Sequence, residues 1–284
     1  MIQYSKLGIM QGRLSPPFQN NIQHFPINHW QEEIQSLADL GLGCLEWVYE
    51  HPTVDQNPLH FSNRLDEIMT IAFSAGIRVN TVIADYFMVK HILAADPDKQ
   101  NENISVLENL IDHCAALEIP IIELPFVDST SLSKGQFNAL VEVLKPLCDH
   151  AQNIGIKISL ETDLAPQDFK QLLEMFTPNY IYVNHDMGNS ASLGFDPGEE
   201  IETLGPYIIN VHIKDRLLGG TTVPLGTGDV DFERVFSALK QNNYHHDFIL
   251  QAARQDIDSS IKPKTPQETI EEYLDFLEPW IADS

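Results

Sequence analysis

Four residues carry the first chemical signal in this chain: Glu161, Asp186, His212 and Gln251. Two carboxylates, an imidazole and an amide carbonyl make a mostly hard, oxygen-rich donor set. Such a set suits Mn2+ or Mg2+, with Mn2+ the first expectation, and tolerates Co2+ or Zn2+. Successive members are separated by 25, 26 and 39 residues, each close to one strand-plus-helix unit. If each ends a neighbouring parallel strand, with strands about 5 Å apart, the four side chains can meet on one ion. Spacing alone leaves a second account equally open, in which each is a separately hydrogen-bonded strand-end group.

Strands must supply those positions. Eight short apolar or β-branched runs occupy residues 7–10, 44–48, 79–83, 119–124, 156–160, 180–184, 208–213 and 248–251. Several are apolar almost throughout, the pattern of parallel strands covered on both faces. Between them apolar residues recur at helical spacing, as in Trp30, Ile34, Leu37 and Ala38, or Leu140, Leu144, Leu147 and Ala151. Thr265-Pro266-Gln267-Glu268 has the form of an N-cap, a proline in the first turn and a capping-box glutamate. Residues 28–31 and 133–136 have that form more weakly. Gly41, Gly76 and Gly155 stand where helices should end. This alternation predicts an α/β protein, a (β/α)8 TIM barrel forming a single domain over residues 1–284. A doubly wound open sheet would want a G-x-G-x-x-G turn after its first strand, and Gly8 and Gly12 do not make one. Residues 51–62 and 84–101 are expected to be long surface loops.

Barrel active sites lie at the carboxyl ends of the strands. Polar residues end the expected strands in order: Gln11-Gly12-Arg13, Glu46, Asp85, Glu123, Glu161, His185-Asp186, His212 and Gln251. Lys214, Arg216, Arg13 and Arg254 are each candidates to hold a substrate phosphate or carboxylate, or to pair with nearby acids. Glu46 would bind a substrate hydroxyl or orient a basic neighbour. Gly219-Gly220 and Gly226-Thr-Gly228 offer backbone N–H groups to a phosphate or form simple turns. Trp47, Tyr86 and Phe87 would wall a sugar ring or pack in the core.

Charge narrows the partners. The 284 residues include 17 Lys plus Arg against 41 Asp plus Glu, a net charge of −24. Such a surface repels phosphate backbones and anionic lipid, so neither nucleic acid nor membrane is expected as a partner. Three cysteines, none in a C-x-x-C pair, fit buried thiols in a reducing compartment. No signal-peptide pattern opens the chain and no run reaches the ~18 apolar residues of a bilayer span, so a cytoplasmic location is expected.

The segments Asn210-Val-His-Ile-Lys-Asp-Arg216, Pro224-Leu-Gly-Thr-Gly-Asp-Val-Asp-Phe232 and Tyr244 through Arg254 resemble the xylose-isomerase-like sugar phosphate isomerase/epimerase family. Leu160-Glu-Thr-Asp163 and Asn184-His-Asp-Met-Gly-Asn189 fall where that family has its earlier ligands. Among its members the L-ribulose/L-xylulose-5-phosphate 3-epimerases are nearest in pattern. The resemblance implies a small sugar or sugar phosphate as substrate. It also implies a divalent metal on Glu161, Asp186, His212 and Gln251, with Glu161 moving a proton beside a metal-polarised carbonyl. Arg13, Glu46, Asp85, Glu123, Asn189, Lys214, Arg216 and Arg254 would line the substrate.

Gln251 departs from the family's usual glutamate. An amide can ligate through its oxygen but cannot act as a general acid or base near neutral pH. Symmetric two-base epimerisation is therefore discounted unless His185, Glu123 or Asp85 serves the second face. Aldose–ketose isomerisation or a dehydration needs only one such base here. Two other functions remain in view: a sugar-binding barrel with reduced catalysis, and an apurinic-endonuclease-like hydrolase, which would want a basic groove and more histidines. Barrels of this kind often form homodimers, and no residue here decides that point.

Overall fold

The computed structural model describes residues 4–17, 23–176, 181–254 and 264–281. The chain closes a parallel barrel from β1 (Tyr4–Met10), β2 (Leu42–Val48), β3 (Arg78–Ile83), β4 (Ile121–Phe126), β5 (Lys157–Thr162), β6 (Ile181–Asp186), β7 (Ile208–Ile213) and β10 (Phe248–Leu250). A two-stranded antiparallel hairpin, β8 (Asp215–Arg216) and β9 (Thr222–Val223), follows the seventh barrel strand. Strands consecutive in sequence are neighbours in space, and β1 pairs β10 to close the ring, with Gly8 opposite Ile249. The open doubly wound alternative is thereby excluded.

All eight expected strands exist, most shifted by one to three residues at an end. Residues 119–120 and 156 precede their strands, β6 runs on through Asp186, and Tyr180 lies outside the described residues. The helices are α1 (Trp30–Asp39), α2 (Leu65–Ala75), α3 (Tyr86–Val89), α4 (Pro97–Ala116), α5 (Phe137–Asn153), α6 (Pro166–Met175), α7 (Met187–Leu193), α8 (Pro197–Leu204), α9 (Phe232–Gln241) and α10 (Pro266–Ile281). Residues 84–101 are not the long loop expected. They hold α3 and the start of α4, where Asp96 caps with its carboxylate on the Asp98 N–H ahead of Pro97.

Local chemistry sets several helix ends. Thr265 Oγ1 accepts from Glu268 N at 3.1 Å while Glu268 Oε2 accepts from Thr265 N at 2.7 Å, a complete capping box. The box expected over 133–136 also forms, whereas α1 begins at Trp30 after His29 with no side-chain cap. Gly41 and Gly155 sit at φ of 78° and 85°, conformations that cost a side chain dearly.

Core packing follows the expected faces. Ile34, Leu37, Leu140, Leu144 and Leu147 are buried against the sheet, and so are Trp47, Tyr86 and Phe87, which pack rather than line an open mouth. One contact between strands is unusually close. A Cβ at Gly43 of β2 would stand 2.3 Å from the carbonyl oxygen of Ser5 on β1. Gly43→Ala should therefore destabilise the barrel by about 1–3 kcal/mol, the range of overpacked cores, and urea unfolding should show it as a lower midpoint at unchanged slope.

Candidate active site

His212 is the hub. It lies on β7 with its side chain in the barrel interior and is wholly buried. Its Nε2 stands 3.1 Å from Glu46 Oε2 and 3.2 Å from Glu123 Oε2. Its Nδ1 stands 3.2 Å from Asn184 Nδ2, 3.7 Å from Glu161 Oε2 and 3.9 Å from Asp186 Oδ2. Two triads thus share one imidazole: Glu46–Glu123–His212 and Glu161–Asp186–His212, each with ligand atoms within 4.8 Å of one another.

Geometry separates the two. Glu46 and Glu123 are within hydrogen-bonding reach of Nε2, so they can accept its proton and fix the ring. Asn184 donates toward Nδ1, which leaves a lone pair facing Glu161 and Asp186. Those carboxylates stand too far for a hydrogen bond to the ring, but at the separation of two donors across one cation, with metal–ligand bonds near 2.0–2.2 Å. The buried, hard donor set fits a divalent ion.

Strand alternation explains both the convergence and one correction. Along β6, Asn184 and Asp186 face the barrel interior, so His185 between them must face the helices. There its Nδ1 lies 3.8 Å from Glu200 Oε1 of α8. His185, expected to act as a second catalytic group, is turned away from Glu161. Glu46 and Glu123, expected at the substrate, lie on the floor beneath His212, with no exposed surface. Asn210 Nδ2 donates to Glu46 Oε2 at 3.1 Å and tightens that floor.

Glu161 ends β5. Asn184 Nδ2 donates to its Oε2 at 3.3 Å, and Asn189 Nδ2 donates to its Oε1. Burial, then the negative charges of Asp186 and Glu123, push its carboxyl well above the usual range. Asp186 behaves oppositely. Burial works against its charge, but Lys214 and His212 outweigh that and hold it below the usual range. Asp186 also caps α7, its Oδ1 accepting from Asn189 N at 2.8 Å.

Gln251 follows β10, and its oxygen is already engaged. Lys214 Nζ donates to Gln251 Oε1 and to Asp186 Oδ2, both at 3.0 Å. An ammonium thus stands between two of the four residues expected to share an ion. Gln251 Nε2 donates to Gln23 Oε1 at 3.3 Å, and Gln23 in turn donates to Asp85 Oδ2. Sequence reasoning gave no role to Asn184 or Gln23. Asn184 could have been found from alternation, two residues before Asp186, whereas Gln23 lies in a loop that no pattern places.

The remaining candidates are held by the protein itself. Asn189 Oδ1 accepts from Arg216 Nη1 at 2.7 Å, and Arg216 Nη2 reaches Gly220 O at 2.7 Å. Arg13 is buried, with Nε on Ala252 O at 3.1 Å, and Arg254 Nη1 reaches Ser15 O at 2.9 Å. The two arginines tie the loop after β1 to the end of β10. Asp215 Oδ2 accepts from Gly226 N and Gly228 N at 2.9 and 2.8 Å, so that glycine loop wraps an internal carboxylate.

Asp85, at the end of β3, is pushed up to about 7, chiefly by burial, against the hydrogen bond from Gln23. A carboxyl raised in the folded state stabilises most when protonated, below its unfolded value near 4, and that contribution fades as pH rises toward 7. Between pH 4 and 7 the wild type should lose thermal stability relative to Asp85→Asn; parallel melting curves over that window would refute the assignment.

A family model for the xylose isomerase-like TIM barrel matches residues 34–280. The L-ribulose-5-phosphate 3-epimerase UlaE of Salmonella paratyphi A is 37% identical over 237 residues, covering 78% of this chain and 81% of that protein. The inosose dehydratase of Clostridium tetani is 30% identical over 132 residues, 40% of this chain. The match spans about two fifths of that dehydratase's length (41%). In structure, the IOLI protein with a bound zinc atom superposes with a TM-score of 0.75 at 18% identity, covering 97% of this chain and 99% of that one.

Proposed function

This chain belongs to the xylose isomerase-like TIM barrel family, and on that premise we propose that it is a divalent-metal-dependent isomerase or epimerase of a keto sugar or sugar phosphate. The barrel domain is taken to run from 1 to 284. The observation that carries the reading is the buried Glu161–Asp186–His212 triad, with His212 Nδ1 facing both carboxylates. Similarity to UlaE supports the substrate class, and the zinc in IOLI supports a metal in this fold.

In this reading Glu161, Asp186 and His212 hold the ion, Mn2+ first by donor chemistry, with Mg2+, Co2+ or Zn2+ as alternatives. When bound, the metal polarises a carbonyl oxygen and stabilises negative charge developing there. The chain's own residues do the rest. Glu161 moves the proton on the adjacent carbon, its raised affinity for protons matched to that task. Asn189 and Asn184 hold both carboxylate oxygens, which fixes the direction from which the proton is taken. Glu46 and Glu123 orient His212 from below. Arg13, Lys214, Arg216 and Arg254 are the cationic groups around the mouth that would favour an anionic substituent.

Gln251 breaks the symmetry. It cannot take a proton from the opposite face, so one-base chemistry is the proposed type: aldose–ketose isomerisation, or dehydration with Asp85 as the second acid. The Lys214 bridge also favours a second reading, a sugar-binding barrel in which an ammonium replaces part of the metal's role. Metal content and solvent-deuterium incorporation separate them. Bound Mn2+ with deuterium entering C1 or C3 of a ketose phosphate supports the enzyme. Sugar binding with no exchange across a panel of keto sugars supports the binder.

Gln251→Glu adds a negative charge beside Asp186, partly offset by Lys214. It should tighten Mn2+ several-fold by calorimetry, and unchanged affinity would place Gln251 outside the ion's reach.

A further inference from the structure

A cavity of about 240 Å3 lies outside the barrel, behind α7 and between α8, α9 and the hairpin loop. That is below the ~300–1,000 Å3 of drug-sized sites, so its occupant is small. Met187, Phe195, Val230 and Val235 give it an apolar wall. The opposite side is acidic: Glu200, Asp229 and Asp231 line it with His185 and Ser190, and no lysine or arginine is among the described lining residues.

Two polar atoms here have unmet demands. Glu200 is 6% exposed and His185 3%. Glu200 Oε1 accepts from Ser190 Oγ at 2.9 Å, with His185 Nδ1 3.8 Å away. Glu200 Oε2 and His185 Nε2 have no hydrogen-bond partner. A buried carboxylate oxygen without a donor is costly, and each such group in a native structure asks for an occupant. Asp229 and Asp231 spend one oxygen each on the backbone, on Leu218 N and Arg234 N. They still add negative charge to the same space.

We propose that this cavity is a second ligand site, separate from the barrel centre, for a small organic cation: a protonated amine on a compact apolar body. The ammonium donates to Glu200 Oε2, and the body packs on Phe195, Met187 and Val235. Lining acids exclude anions, so the phosphorylated or carboxylated ligands suited to the barrel mouth are rejected here. The site also touches the barrel chemistry mechanically. Ser190 and Met187 on α7 line the cavity, while Asn189 on the same helix holds Glu161.

Three probes of one shape and different charge test it: cyclohexylammonium, cyclohexanol and cyclohexanecarboxylate, titrated into the full chain by methyl NMR. Cyclohexylammonium should saturably shift the Met187, Val230 and Val235 methyls, at least tenfold more tightly than cyclohexanol, with no response to the carboxylate. Glu200→Gln should erase the preference for the cation. Val235→Phe should block the cavity and abolish the shifts, with far-UV circular dichroism checking that each variant folds. Equal response to all three probes, no response at all, or a preference that survives Glu200→Gln overturns the proposal.

Discussion

Glu161→Gln should lower turnover by about 10²–10⁴-fold, the usual contribution of a positioned general base, while the barrel stays folded. The substitution keeps shape and hydrogen-bonding capacity on the Asn184 side and removes only the ability to take a proton. It also removes one of three negative charges crowded near His212, where burial and Asp186 already oppose ionisation. Melting temperature should therefore hold or rise. Deuterium exchange into a keto sugar, run beside a thermal melt, separates the two effects. Full exchange activity in a folded Glu161→Gln would assign the base elsewhere.

Lys214→Met should increase Mn2+ affinity by an order of magnitude or more. The ammonium stands 3.0 Å from Asp186 Oδ2 and 3.0 Å from Gln251 Oε1, so an arriving cation must share or displace those contacts. Two like charges about 4 Å apart repel by roughly 4 kcal/mol at an effective dielectric near 20. Solvent and rearrangement will reduce that figure, since Lys214 is partly exposed. Methionine keeps the stem's packing against Gly188 without the charge. Isothermal titration of metal-stripped protein gives the comparison directly. Weaker Mn2+ binding in the variant would mean that Lys214 supports the ion rather than competing with it.

Much of this was legible before any coordinates. Apolar strand runs alternating with helical patterns named all eight barrel strands, because burial on both faces forces unbroken hydrophobic sequence. Strand-end spacing brought Glu161, Asp186 and His212 to one place, since register fixes those positions. What failed was facing. His185 and Asp186 are adjacent in sequence, yet the two-residue period of a strand sends them to opposite sides of the sheet. Glu46 and Glu123 were placed by strand but not by depth, so they looked like substrate ligands rather than the floor under His212. Lys214 was assigned to an anion, and its bond to Gln251 could not be read because it joins side chains 37 residues apart.

Asp186 has both carboxylate oxygens spoken for, one capping α7 and the other on Lys214. A side chain that starts a helix cannot swing to suit a guest without fraying that helix's first turn. The cleft therefore works as a gauge of fixed width, discriminating among ions by radius, with the cost of assembling it met during folding and not at each encounter.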